Sequence, residues 1–202
     1  MIASKAKIGL LPLYLELYDR VAPDLRPRIE KFLNIIKKQF EKQNIKVISS
    51  IICRLKEEFK EAIRCFEKEK VDAIVTLHLA YSPSLESVEY LAKTNIPIII
   101  LDTTPFYEFV ESQDSDAIML NHGIHGVQDL CNMLLRHDKK FILEVGHWER
   151  SDVLKRVCND IKAAKIASRL PNIKVGSVGS SFEGMGDFIV DYNTLKKDIG
   201  IN

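Results

Sequence analysis

The stretch "VDAIVTLHLAYSPSLESVEYLAKTNIPIIILDTTP", residues 71–105, contains a complete unit of strand, helix and strand. Ala73–Leu77 and Ile96–Leu101 are short runs rich in β-branched residues, a composition typical of strands. Between them, apolar residues recur on one face of a predicted helix, with Ser84 expected as its cap. Because a helical crossover of this length joins two parallel strands, the stretch predicts an α/β fold.

The same alternation extends outward from this unit in both directions. Further strands are predicted at Lys7–Leu11, Lys46–Ile52 and Lys140–Val145. Helices are predicted within residues 26–45 and 57–70 and over residues 151–168. Residues 116–120 are compatible with a short strand that leads into a helix beginning near His125. The sequence therefore predicts a flavodoxin-like (Rossmann-like) fold, in which a parallel five-stranded sheet carries helices on both faces.

The last part of the chain predicts the beginning of a second unit. We expect residues 1–169 to form the first domain and residues 170–202 to form an incomplete βα start of another α/β domain. Within it, "IKVGSVGSSFEG" (residues 173–184) predicts a strand and a glycine turn, and "YNTLKKDIGIN" (residues 192–202) predicts one or two helical turns. Since roughly 30 residues cannot bury a core of their own, we expect them to dock on the first domain, pair with another chain or open a lost domain.

Composition and charge narrow the classes of partner and compartment. Lys and Arg number 29 against 28 Asp and Glu, without a basic stripe, which argues against a nucleic-acid partner. The cysteines lie far apart without a C-x-x-C pair, so we expect buried free thiols in a reducing compartment: Cys53, Cys65, Cys131 and Cys158. The apolar run Ile8–Leu15 is followed by acidic residues rather than by a cleavage site. These features predict a cytoplasmic protein with no membrane span.

Residues suited to ligand binding follow the predicted strands. In an open α/β sheet, ligands bind at the carboxyl ends of the strands. The segments expected there hold four of the five histidines and the single tryptophan: residues 12–19, 78–83, 102–105, 121–126 and 146–148. Aromatic faces combined with imidazole and hydroxyl groups suit a polyhydroxylated ligand. The alternative is that these residues are polar only because they lie in loops.

The sequence lacks the common signatures of nucleotide, metal and acyl-transfer sites. The first predicted strand is followed by no G-x-G-x-x-G and no phosphate-binding turn, and no serine lies in a G-x-S-x-G elbow. His122 and His125, three residues apart, could chelate a divalent metal on a helix. Zinc would need further ligands, which His78, His147 or Asp102 could supply, although no spacing requires it. A helix-start pair without a ligand also remains open.

Five short segments, in this order, resemble the amino-terminal part of the L-arabinose isomerase and L-fucose isomerase family of aldose–ketose isomerases. They are "LYD" (17–19), "AYSP" (80–83), "NHGIHG" (121–126), "VGHW" (145–148) and "SVGSSFEGMGDFIVDYNTLKKDIGI" (177–201). The resemblance implies a three-domain enzyme with an Mn²⁺-type site. Its metal ligands and proton-transferring carboxylates belong to later domains, so it implies no catalytic residue and no metal ligand in this chain.

The same resemblance assigns a role to individual residues. It implies that this domain forms one wall of a neighbouring subunit's sugar pocket in a ring-like oligomer. Carried over residue by residue, that wall consists of Leu17, Tyr18, Tyr81, His122 and His125. Two positions depart from arabinose isomerases, which usually have glutamine at the position of His122 and phenylalanine at that of Tyr81. The identity of the sugar therefore stays open.

Two functional hypotheses follow, from different classes. In the first, the chain is the substrate-facing portion of a metal-dependent aldose–ketose isomerase, inactive alone, whose partners are a sugar and either further copies of itself or the catalytic domains. In the second, it is a stand-alone sugar-binding or regulatory module with the same fold. A receiver or nucleotide-binding domain is disfavoured, because the first strand is followed by neither an acidic cluster nor a glycine-rich turn.

Overall fold

The sheet of the protein is parallel throughout and has five strands. The computed structural model describes residues 5–108, 110–176, 178–179, 182–184, 186 and 191–200. Its strands are β1 (Lys7–Leu13), β2 (Lys46–Ser49), β3 (Ala73–His78), β4 (Ile98–Asp102) and β5 (Ile142–Val145). Their order across the sheet is β2-β1-β3-β4-β5, and every neighbouring pair is parallel. The predicted flavodoxin-like arrangement is confirmed, since this is the doubly wound order 2-1-3-4-5.

Helices cover both faces of this sheet, as predicted. In chain order they are α1 (Glu16–Val21), α2 (Leu25–Lys42), α3 (Lys56–Glu69), α4 (Ser84–Lys93), α5 (Asp116–Asn121), α6 (Gly123–Arg136), α7 (Val153–Arg169) and α8 (Tyr192–Asp198), with a 3₁₀ turn at Leu170–Asn172. On one face α2 and α7 bury residues such as Phe40 and Ile161. On the other, α3, α4 and α6 bury residues such as Phe66, Leu91 and Leu130. The core therefore consists of two apolar layers, one on each side of the sheet.

The strands differ sharply in how well these layers cover them. Every residue of β3 and β4 is buried. In the edge strand β5, Ile142 is 39% exposed, Leu143 44% and Val145 54%. Strands of a parallel sheet are normally covered on both faces, so the central strands follow the rule and β5 departs from it.

Residues 116–120 form helix α5 and not the short strand considered from the sequence. The backbone N–H of Ala117 donates to the Asp114 carboxylate at 3.1 Å, which begins the helix. Arg28, on α2, forms ion pairs with Asp114 at 3.3 Å and with Asp116 at 3.2 Å. These contacts between distant segments hold α5 against α2, and no local sequence pattern encodes them.

Two other sequence predictions are corrected in detail. Pro83 and not Ser84 occupies the position before α4, and the Ser84 N–H donates to the Asp129 carboxylate of α6 at 3.0 Å. The cap of this helix is thus supplied by another element. All four cysteines are free, as expected, but only Cys53 and Cys158 are buried. Cys131 is partly buried, and Cys65 is exposed because it lies on the outer side of α3.

The end of the chain is only partly described. In the stretch predicted as strand and turn, residues 173–176, 178–179 and 182–184 lie in no strand, and residues 177 and 180–181 lie outside the described residues. The predicted helical turns are confirmed as α8, which the Asp191 carboxylate caps by accepting from the N–H groups of Asn193 and Thr194. The boundary after residue 169 stays a prediction. In the described part of the chain, no helix has the length and apolarity that crossing a membrane requires.

Candidate functional site

The carboxyl end of β3 is packed unusually closely against α6. A Cβ atom at Gly123 would lie 2.7 Å from the carbonyl oxygen of His78. A Cβ atom at Gly126 would lie 2.6 Å from Cδ2 of the His78 ring. Any larger residue at either position would push the helix away from the strand. The two glycines of "NHGIHG" are therefore explained by packing, and they bring the start of α6 to the edge of the sheet.

Four of the five site residues predicted from the sequence lie together at this edge. Tyr18 belongs to α1, after β1; Tyr81 follows β3; His122 and His125 lie where α5 meets α6. The Tyr18 hydroxyl is 3.4 Å from Nδ1 of His122. The ring of His122 lies 5.5 Å from that of Tyr81 and 4.6 Å from that of His125, between centroids. We call these four residues the histidine–tyrosine cluster.

The position of this cluster follows from the topology of the sheet. After β1 the chain turns to the face covered by α2, and after β3 it turns to the face covered by α4. The carboxyl ends of β1 and β3 are adjacent, so the chain diverges between them. Such a switch point is where open α/β sheets form their ligand crevice. The fifth predicted residue, Leu17, precedes Tyr18 on α1 and is 42% exposed, and its part in a site stays a prediction.

Burial favours the neutral forms of Tyr18 and His122, the two members of the cluster that are within hydrogen-bond distance of each other. Burial raises the pKa of Tyr18, and the neighbouring Tyr81 raises it further. Burial also lowers the pKa of His122, with a smaller contribution from His125. A neutral Tyr18 hydroxyl can donate to Nδ1 of a neutral His122, which leaves the imidazole proton on Nε2. The arrangement thus presents an uncharged N–H donor beside aromatic ring faces.

An ion network that sequence reasoning missed holds α1 in place. The Asp19 carboxylate accepts hydrogen bonds from Arg54 at 2.7 Å and from Arg26 at 3.4 Å. Arg54 also bonds to Glu58 at 2.6 Å, and these hydrogen bonds raise the pKa of Arg54. Asp19 follows Tyr18 directly, so the network fixes the helix that carries Tyr18. In the sequence, the contact between Asp19 and Arg54 was visible only as two opposite charges 35 positions apart.

A second aromatic group lies beyond β4 and β5. The ring centroid of His147 is 5.3 Å from that of Tyr107 and 5.8 Å from that of Trp148. The backbone N–H of Trp148 donates to Thr103 Oγ1 at 2.9 Å. Nδ1 of His147 accepts from the N–H groups of the two residues after Trp148, each at 3.2 Å. His147 therefore stabilises its own turn, and among the described contacts none joins it to the histidine–tyrosine cluster.

The described residues do not fit a metal centre. Among them, no group of three or more His, Cys, Asp or Glu side chains is arranged to hold a metal ion. His122 and His125 face each other edge to face, His78 is buried against Gly123 and Gly126, and burial raises the pKa of Asp102. A divalent cation needs more ligands than the His122 and His125 pair offers. The imidazoles of the partly buried His122 and the exposed His125 can serve a ligand as hydrogen-bonding groups.

Comparison with known proteins gives only distant structural similarity. No family model matches the chain, and no curated protein matches it significantly. Matching solved structures include the lac repressor bound to ONPG in the repressed state (13% identity, TM-score 0.34, covering 70% of this chain and 48% of that one). Another is the lac repressor dimer bound to operator and the anti-inducer ONPF (12%, 0.37, 82% and 55%). The chain spans about half the length of these proteins, and a likeness this distant assigns no function.

Proposed function

We propose that the histidine–tyrosine cluster binds a neutral sugar. The observation that carries this proposal is the convergence of Tyr18, Tyr81, His122 and His125 from three chain segments on the switch point of the sheet. His125 is exposed and the other three side chains are only partly buried, so the cluster is open to a ligand. A crevice with a few convergent polar groups and ring faces is the usual form of a small-molecule site.

The chemistry of the cluster favours hydroxyl groups over charged ligands. Its residues are two phenols and two imidazoles, and Tyr18 and His122 are shifted toward their neutral forms. Ring faces pack on the C–H faces of a sugar, while hydroxyl and N–H groups bond to its oxygens. A phosphate or carboxylate would call for arginine or lysine, and the cluster contains neither.

We further propose that this binding surface is the substrate-facing wall of an aldose–ketose isomerase of the L-arabinose and L-fucose isomerase type. The support is the resemblance at Leu17, Tyr18, Tyr81, His122 and His125, together with the proximity of the last four. Mn²⁺ and the carboxylates that transfer protons would come from other domains of the enzyme. A cytoplasmic setting belongs to the proposal and is supported by four unpaired cysteines.

The test is an NMR-detected titration of the purified chain with L-arabinose and with L-fucose. We expect saturable shifts centred on the cluster, and an affinity reduced about tenfold or more by His125→Ala, equivalent to about 1.4 kcal/mol. His137→Ala is the matched control, because His137 is also an exposed histidine and lies at the other end of α6. No shifts up to about 100 mM sugar, or equal losses in both variants, would refute the binding proposal.

A stand-alone sugar-binding module is the second candidate, favoured by the fact that all four cluster residues come from one chain. An aldose-to-ketose assay with added Mn²⁺ separates both candidates from a self-sufficient enzyme. Both predict no turnover by the chain alone, because the described residues do not form a metal centre. Turnover would contradict both and would make His122 and His125 candidate metal ligands. Saturable binding together with silence in the assay fits both candidates, so addition of the catalytic domains separates them: restored activity favours the isomerase, and continued silence favours the module.

A further inference from the structure

Strand β5 is an apolar edge of the sheet that the described chain leaves uncovered. It is the last strand of the sheet, and its residues Ile142, Leu143 and Val145 are 39%, 44% and 54% exposed. Natural proteins usually protect an edge strand with charges, prolines or bulges, since its free backbone groups attract another strand. Between Phe141 and Val145 the only charged residue is Glu144, and there is no proline.

The backbone of β5 offers hydrogen-bonding groups on its outer side. The Gly146 N–H donates inward to the carbonyl of Asp102 at 3.1 Å. Because successive residues of a strand direct their backbone groups to opposite sides, Ile142 and Glu144 also bond toward β4, and Phe141 and Leu143 bond outward. At the far end, Arg156 donates to the carbonyl of Val145 at 2.8 Å. The open part of the edge is therefore Phe141–Leu143.

Negative charge accumulates beside this edge, where α7 packs on β5. Arg156 forms ion pairs with Glu144 at 2.5 Å and with Asp152. Burial raises the pKa of Asp160, and the negative charge of Glu144 adds to the effect. Two carboxylates thus pair with one guanidinium group, and a third, that of Asp160, lies beside Glu144. Lys140, two residues before the start of β5, is exposed and has no ion pair among the described residues.

We propose that this edge binds a second copy of the chain, with the two β5 strands antiparallel about a two-fold axis at Ile142. The five-stranded sheet of each copy would then continue into the other. In this register Phe141 lies opposite Leu143 of the second copy, so the outward backbone groups of both strands exchange hydrogen bonds.

Charge complementarity selects both the partner and the register. With the axis at Ile142, Lys140 of each copy lies opposite Glu144 of the other, on the side that carries the excess of carboxylates. Cross-strand pairs of opposite charge stabilise a sheet, and like charges destabilise it. An axis shifted by one residue, to Leu143, would place Ile142 opposite Glu144 and lose both ion pairs. The strand is therefore complementary to its own copy in one register.

The first test is a charge reversal followed by sedimentation velocity over a range of concentrations. We expect the wild-type chain to dimerise and Lys140→Glu to raise the dimer dissociation constant about tenfold or more, because two new like-charge pairs form. Lys46→Glu is the matched control: Lys46 is also an exposed lysine at the start of an edge strand, β2. A wild-type monomer at all concentrations, or equal dimerisation by both variants, would overturn the proposal.

The second test fixes the register by cross-linking, in a Cys65→Ser background that removes the exposed thiol. At a pair without ladder hydrogen bonds the two Cα atoms lie about 4.5 Å apart, within reach of a disulfide. Ile142→Cys should therefore form a covalent dimer under mild oxidation much faster than Leu143→Cys, with far-UV circular dichroism showing that both variants are folded. Equal rates, or faster cross-linking by Leu143→Cys, would overturn the proposed register.

Discussion

His78 and the pair of His122 and His125 lie at the same edge of the sheet but in opposite environments. His78 is 3% exposed and its ring nitrogens have no hydrogen-bond partner among the described residues. His122 bonds to Tyr18, and His125 is exposed to solvent. Both places hold histidine at the carboxyl edge of the same sheet. The comparison shows that packing depth separates a structural histidine from one that can meet a ligand.

Two glycines create this difference in depth. Gly123 and Gly126 allow the first turn of α6 to lie directly on His78, which excludes water from its ring. His122 and His125 belong to the same turn of chain, but they lie on its outer side, near Tyr81. One short motif therefore buries one histidine and presents two others.

Gly123→Val should disturb the packing around the buried His78 and have the largest effect on the free energy of unfolding. The new Cβ would lie 2.7 Å from the His78 carbonyl oxygen, a backbone atom that cannot yield without moving the strand. We expect the free energy of unfolding to fall by about 3 kcal/mol, measured by urea denaturation. Gly176→Val is the control, because a Cβ at Gly176 would have no neighbour within 4 Å. An equal, small effect in both variants would show that the close contact is unimportant.

The second largest effect on the free energy of unfolding is expected from protonation of His78 at acidic pH. Burial lowers the pKa of His78 from 6.5 to about 3, so the unfolded chain binds a proton that the folded chain excludes. Stability from this group is complete above pH 6.5 and is lost as the pH falls toward 3. Between pH 7 and pH 4.5 the wild type should lose about 2.5 kcal/mol more than His78→Gln does, in parallel urea titrations. Parallel pH profiles for the two proteins would contradict a buried, neutral His78.

The smallest effect on the free energy of unfolding is expected at His125, the exposed histidine of the comparison. His125 is exposed, so His125→Ala should change the free energy of unfolding by less than about 0.5 kcal/mol, as most surface substitutions do. His137→Ala should behave in the same way, and only the sugar titration should distinguish the two variants. A loss of stability in His125→Ala alone would make this histidine structural and would remove it from the proposed site.

Much of the fold could be predicted from local pattern. Runs such as Ala73–Leu77 and the amphipathic helices around them indicated five parallel strands with two helical layers, because burial requires that periodicity. The prediction errors occurred where contacts between residues distant in sequence determine the local structure. Asp129 caps α4 in place of Ser84, and Arg28 holds Asp116 in a helix where a short strand was considered.

The candidate site could be predicted in part. The rule that ligands bind after parallel strands brought Tyr18, Tyr81, His122 and His125 into one set, and the structure places them together. The rule could not separate His78 from that set, because its burial depends on glycines about 45 residues away. It also missed the Arg54 and Asp19 ion pair, whose geometry exists only after the loops meet.

The unequal burial of the cysteines provides a built-in attachment point for a spectroscopic reporter. Burial raises the pKa of Cys53 and Cys131 to about 11, and burial raises that of Cys158 as well. Thiolates are the reactive form, so we expect alkylation near neutral pH to be slower at these three sulfurs. The exposed Cys65 on α3 can thus take a single fluorophore without any engineered cysteine. Fluorescence anisotropy of that label follows the tumbling of the chain, and hence its mass, at nanomolar concentrations.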